Sequence, residues 1–208
     1  MDQVTAADPD NAMLAFHAVD LYRSLGLVHG YAGHAQESLR YLRHGVEILD
    51  KLVARDPGEW PYAITRAELQ GRVASLLVKA GSPAEARAYA KASIDFFKKV
   101  GDNPNATAEE LTEAVRATDD TEVKEMRDYA AGLRLALRAD DLTKHKNPAI
   151  AGFLAEAYAL NGRYPEALEI VQRGLANLPA TKPGGPPSRL RQWLQEEESD
   201  YAKKTRAR

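Results

Sequence analysis

Five histidines, His17, His29, His34, His44 and His145, are the side chains best suited to bind a metal or move a proton near neutral pH. Zinc needs three or four ligands converging on one point. His29 and His34 flank one turn and His44 falls on the helix predicted after it, which is the nearest the sequence comes to such a cluster. Thirty acidic residues could hide a carboxylate pair or a Ser-His-Asp set, yet no motif selects particular ones. Phosphoryl transfer needs a glycine-rich loop, a strand lysine and carboxylates for magnesium, and none of these is found. "SIDFFKK" at 93–99 reads as the tail of an amphipathic helix with Phe96 and Phe97 as core, and "KPGGPP" at 182–187 lacks the Gly-Lys-Ser/Thr of a phosphate loop. The run Glu196-Glu197-Glu198 reads as a solvated face, and the closing "KKTRAR" is a basic tail without interleaved aromatics. These residues predict no catalytic centre, no cofactor and no metal.

The bulk composition narrows the field further. The 208 residues are 44% hydrophobic and 28% charged, and 28 basic against 30 acidic side chains leave a net charge of -2. That balance gives no electrostatic case for nucleic acid or an anionic membrane. Zero cysteines exclude disulfide scaffolds, thiol nucleophiles and Cys-ligated zinc, and an unstapled chain fits the cytoplasm. The start, "MDQVTAADPDN", has acids where a secretory signal needs a basic end and an apolar stretch, and no run approaches the roughly 18 apolar residues of a spanning helix. It resembles a link between two helices, which suggests a piece of a longer protein.

Spacing along the chain reveals repetition. "AGHAQESLRYL" around Gly33, "AGSPAEARAYA" around Gly81 and "NGRYPEALEIV" around Gly162 each carry a small residue, Ser38, Ala86 or Ala167, five positions after the glycine. Asp8-Pro9 and Asp56-Pro57 share the 48-residue offset of Gly33 and Gly81. A period of this size in a helical sequence implies stacked helix pairs.

Leu39, Leu42, Val46, Leu49 and Leu52 or Val53 recur at three- and four-residue steps and so share one helix face. Ser82-Pro83-Ala84-Glu85 and Thr107-Ala108-Glu109-Glu110 have the form of capping boxes, and Asn147-Pro148 starts another helix. Nine helices are predicted near 10–30, 34–55, 59–80, 83–100, 107–119, 122–143, 148–161, 164–178 and 187–204, with short antiparallel connections.

The pattern resembles the tetratricopeptide repeat (TPR), in which a Leu-small pair and a Tyr mark the first helix and an Ala, a bulky residue and a Pro mark the second. Leu154-Ala155, Tyr158, Ala167, Val171 and Pro179 fill these positions in the last copy. The first copy has Tyr22, Leu25-Gly26, His29, Ser38, Leu42 and Gly45, and the second Val73-Ala74, Leu77, Ala86, Ala90 and Ser93. His29 stands where Tyr is usual, which favours a hydrogen-bonded core residue over a metal ligand. A divergent third unit must fill about 102–145. The links beginning "DPDN" and "DPGEW" look like those of repeat regions that follow a serine/threonine kinase or regulatory domain in some bacterial proteins.

The resemblance implies an all-α, right-handed helical-repeat solenoid of antiparallel helix pairs, one domain over 1–208. Its units are about 8–55, 56–101, 102–145 and 146–180, with a linker at 179–187. A capping helix at 187–204 would close the end with Leu190, Trp193, Leu194 and Tyr201. It also implies a non-catalytic interaction scaffold whose first helices line a concave groove for a peptide or helix of a partner protein, or for self-association. Counted from the signature positions, Asp20, Arg23, Leu27 and Tyr31 of the first unit face that groove, with Glu68, Arg72, Ser75 and Lys79 of the second and Glu156 of the last. Their mixed charge predicts a ligand carrying both signs. A carboxylate clamp of paired Lys and Asn is not supported, because Leu27, Gly71 and Ser75 stand at its positions.

Overall fold

The computed structural model describes residues 11–180 and 188–207, and among them finds nine α-helices, one short 3₁₀ turn and no strand. The helices are α1 (Ala12–Tyr31), α2 (Ala35–Arg55), α3 (Trp60–Lys79), α4 (Pro83–Asp102), α5 (Ala108–Asp119), α6 (Tyr129–Leu142), α7 (Pro148–Leu160), α8 (Tyr164–Ala176) and α9 (Arg189–Arg206). The Asp8-Pro9 landmark and residues 181–187 of the 179–187 linker lie outside the described residues.

Polar caps set most starts. Asn11 Oδ1 accepts from Leu14 N at 3.0 Å, Asn147 Oδ1 from Ala149 N at 2.9 Å, and Ser188 Oγ from Arg191 N at 3.2 Å. Thr107 and Glu110 form the expected reciprocal box at the start of α5.

Three hairpin turns are built alike. Gly33, Gly81 and Gly162 hold φ of 80°, 76° and 71°, the left-handed region that favours glycine. The next amide in each case, from His34, Ser82 and Arg163, donates back to the carbonyl of His29, Leu77 and Tyr158 at 2.9 Å. That bond satisfies an otherwise orphaned helix-end carbonyl and turns the chain antiparallel. One sequence element thus recurs as one backbone conformation.

The chain divides into two compact bodies, Met1–Lys99 with Thr121–Arg127, and Val100–Asp120 with Asp128–Arg208. The boundary falls inside α4. In the first body α1 packs on α2 and α2 on α3. Val19, Leu42, Val46, Leu49, Leu69, Val73 and Leu77 fill its core, together with Ala86 and Ala90 of α4. In the second body α5 packs on α6, α6 on α7, α7 on α8 and α8 on α9. Consecutive helix pairing of this kind is the packing unit of a helical repeat.

Small residues permit the close approach both within a pair and from one pair to the next. A Cβ on Gly26 would fall 2.5 Å from Leu42 Cδ2, and one on Gly45 would fall 2.9 Å from Leu69 Cδ1. The third unit uses the same second-helix spacing: Gly132, Ala136 and Ala139 are buried at the steps of Ser38, Leu42 and Gly45. Its volumes are exchanged across the pair, however. Val115 packs with Ala136, whereas Gly26 faces Leu42 in the first unit.

Two expectations need correction. The helix predicted over 122–143 begins at Tyr129, because Asp128 Oδ1 accepts from Ala131 N at 2.9 Å and caps it there. Lys124–Met126 forms the 3₁₀ turn before it. His29 is not a hydrogen-bonded core residue through Nδ1, which is buried without a partner. Its ring instead lies against Tyr41, with centroids 5.3 Å apart, and against His34 at 5.6 Å.

Candidate interaction surface

The first helices of the first body carry eight of the nine predicted contact residues, and three of these meet directly. Arg23 on α1 pairs with Asp20 at 2.9 Å and reaches Glu68 on α3 at 4.0 Å. Arg23 is thus a side chain through which α1 reaches α3. Leu27 and Ser75 are half-buried, while Arg72 is exposed and the Tyr31 ring is 89% exposed at the end of α1. Lys79 sits 3.8 Å from Glu122 in the segment leading to the 3₁₀ turn. The resulting surface combines one large aromatic, an apolar Leu27 and charges of both signs.

Glu156, the ninth residue, lies on α7 of the second body. It shares a small cleft with Val115, Arg116, Asp119 and Asp120 of α5 and with Phe153 and Leu160 of its own helix. Burial raises its carboxyl above the usual range, and the charges of Asp120 and Glu197 push it further, against Arg116.

Asp119 had no signal in the sequence beyond a glycine in the facing helix. It is 5% exposed, and burial pushes its carboxyl up to about 7; the hydrogen bond from Thr118 opposes that shift, and the charges of Asp120, Glu156 and Asp128 add to it. Its Oδ2 has no hydrogen-bond partner. Both carboxylate oxygens lie 2.1 Å from where a Cβ on Gly132 would stand, so Gly132 is the residue that admits this side chain.

Asp140 makes a different buried charge. It is 2% exposed and accepts from Arg173 of α8 through both oxygens at 2.7 Å, with His145 Nδ1 also 2.7 Å away. Lys144 and His145 adopt φ of 53° and 59° without being glycine. The His145 amide donates to Asp140 O at 3.0 Å, and Asn177 Nδ2 to His145 O at 2.9 Å. These bonds hold a conformation that L residues rarely adopt. The cluster is a structural clamp that ties α6 and the turn after it to α8.

Among the described residues no group of three or more His, Asp or Glu is placed to hold a metal ion, and no helix is long and apolar enough to cross a membrane.

Known structures of similar form are helical repeats. A crystal structure of a Podosopora anserina putative kinesin light chain with nearly identical TPR-like repeats superposes with a TM-score of 0.58 at 18% identity, covering 91% of this chain and 88% of that one. A single-substitution variant of the same repeat protein gives 0.60 at 19% identity, with 92% and 89% covered. No protein-family model matches the sequence, and no curated protein matches it significantly. At such identities the likeness concerns the fold: this chain has a TPR-like helical-repeat fold.

Proposed function

We propose that this protein is a non-catalytic interaction scaffold that binds a peptide segment or a helix of a partner protein along its first helices. The observation that supports the reading is that Arg23 of α1 lies between Asp20 and Glu68 of α3, while Tyr31, Arg72 and Lys79 of the same two helices are exposed. Side-chain contacts along such a surface give reversible recognition. The reading calls for no cofactor, nucleic acid or membrane, and assigns the protein to the bacterial cytoplasm. A narrower version makes it the interaction region of a larger bacterial signalling protein such as a serine/threonine kinase, and it rests on the form of the interhelix links alone.

The test is selection of a displayed peptide library on the immobilised protein, followed by calorimetry on the selected sequences. A Tyr31→Ala/Arg72→Glu variant is expected to weaken binding at least about tenfold, or roughly 1.4 kcal/mol. Unchanged affinity in a folded variant would remove this surface from the reading.

A further inference from the structure

In the first body the acids of the first helices have a cation of their own, since Arg23 lies between Asp20 and Glu68. The second body has such acids without a cation held between them. Asp119, Asp120 and Glu156 line the cleft between α5 and α7, where the basic residue, Arg116, pairs with Glu113 of its own helix at 3.4 Å. Glu156 makes no ion pair or hydrogen bond among the described residues.

Asp119 is served no better. Its Oδ2 has no partner, and its Oδ1 meets only the Thr118 hydroxyl, at 3.4 Å. That hydroxyl has one proton to donate and lies nearer to two carbonyls, of Val115 at 2.8 Å and of Ala114 at 3.1 Å. A buried carboxylate without a committed donor is costly until one arrives. Asp119 is 5% exposed and lines the cleft, so a group seated there can supply the missing donor.

The size of the cleft selects that group. It holds about 10 Å³, the room for one water-sized group. An ammonium has that size and carries three donors, whereas a guanidinium is larger and planar. Phe153 and Leu160 add apolar wall on which a methylene stem can lie. A metal ion is the poorer occupant, because these carboxylates are not placed to hold one together.

We propose that the cleft between α5 and α7 receives the ammonium of a lysine from a partner protein, with Asp119 and Glu156 as its acceptors and the lysine stem against Phe153 and Leu160. Resting on the scaffold reading, this assignment gives the partner one basic anchor at the second body.

The probe is a capped peptide, Ala-Leu-Lys-Leu-Ala, titrated about one pH unit above 7 into the isotope-labelled full chain and followed by carboxyl NMR. Versions with arginine, norleucine or acetyl-lysine at the centre serve as controls. The lysine peptide is expected to move the Asp119 and Glu156 carboxyl signals with a dissociation constant on the order of 1 mM. It is also expected to lower the Asp119 titration midpoint from about 7. The arginine peptide should bind several-fold more weakly, and the norleucine and acetyl-lysine peptides should leave both signals in place. Asp119→Asn/Glu156→Gln keeps the side-chain shapes and is expected to weaken binding at least about tenfold, read from amide shifts around the cleft. The proposal is overturned if about 10 mM lysine peptide leaves both carboxyl signals unmoved, if the norleucine peptide moves them equally, or if the folded variant binds as tightly. Library-selected peptides that bind at α1 and α3 beside a silent cleft would sink this assignment alone. A cleft that takes lysine while the selection yields no binder would sink the scaffold reading instead.

Discussion

The flank of α1 and the flank covered by α9 meet the same problem with opposite outcomes. Each outer helix of a repeat array turns an apolar side toward the place where another helix would stack. At α9, Leu194 and Tyr201 are buried to 0% and 3%, and Trp193 sits where a Cβ on Gly152 would fall 2.4 Å from its ring. At α1, leucine and valine of comparable register stay open to solvent. The ionic groups differ in the same sense. Asp140, Arg173 and His145 lock the second body around a buried carboxylate, whereas Asp20, Arg23 and Glu68 of the first body remain partly exposed.

The sharpest contrast comes from these two ionic groups. Asp140→Ala is expected to cost about 3 kcal/mol in denaturant unfolding, because it strands Arg173 and releases the left-handed Lys144-His145 turn. Asp20→Ala should cost less than about 1 kcal/mol, since its partners are solvated. Equal losses would erase the distinction between the bodies.

Next come the two flanks. Leu194→Ala should cost roughly 2–3 kcal/mol through the cavity it leaves, and Leu21→Ala no more than about 0.5 kcal/mol. A large loss at Leu21 would mean that the open flank is already covered.

A smaller effect concerns pH. Because the folded-state carboxyl of Asp119 titrates at about 7, above its ordinary value near 3.8, the folded chain holds a proton that the unfolded chain releases. Its contribution to stability is complete at pH values below the unfolded value and is lost as pH rises through 7. Between pH 5 and pH 8 the wild-type melting temperature should fall by roughly 5 °C more than that of Asp119→Asn. Parallel pH profiles would contradict the burial argument.

The repeat was legible in the sequence wherever backbone geometry demands a particular residue. Gly33, Gly81 and Gly162 were visible because a left-handed turn favours glycine, and Ser38, Ala86 and Ala167 because a close helix contact excludes bulk. The third unit concealed itself for the same physical reasons. Its Lys144-His145 turn is held by Asp140 rather than by glycine, and Val115 with Ala136 reverses the usual order of large and small. The start of α6 lies at Tyr129 rather than 122 because Asp128 caps it directly after the 3₁₀ turn, a break that no Gly or Pro announces. Register listed Arg23 and Glu68 for the same surface, but their approach to one another came only with the structure. Burial of Asp119 did not, since one carboxylate among thirty acids carries no pattern.

The scaffold account is tested most directly by mapping a library-selected peptide onto the labelled chain by amide NMR. The account predicts perturbations concentrated along the exposed faces of α1 and α3, around Leu27, Tyr31, Arg72 and Lys79. Perturbations confined to the second helices α2 and α4, with those four residues unmoved, would contradict it.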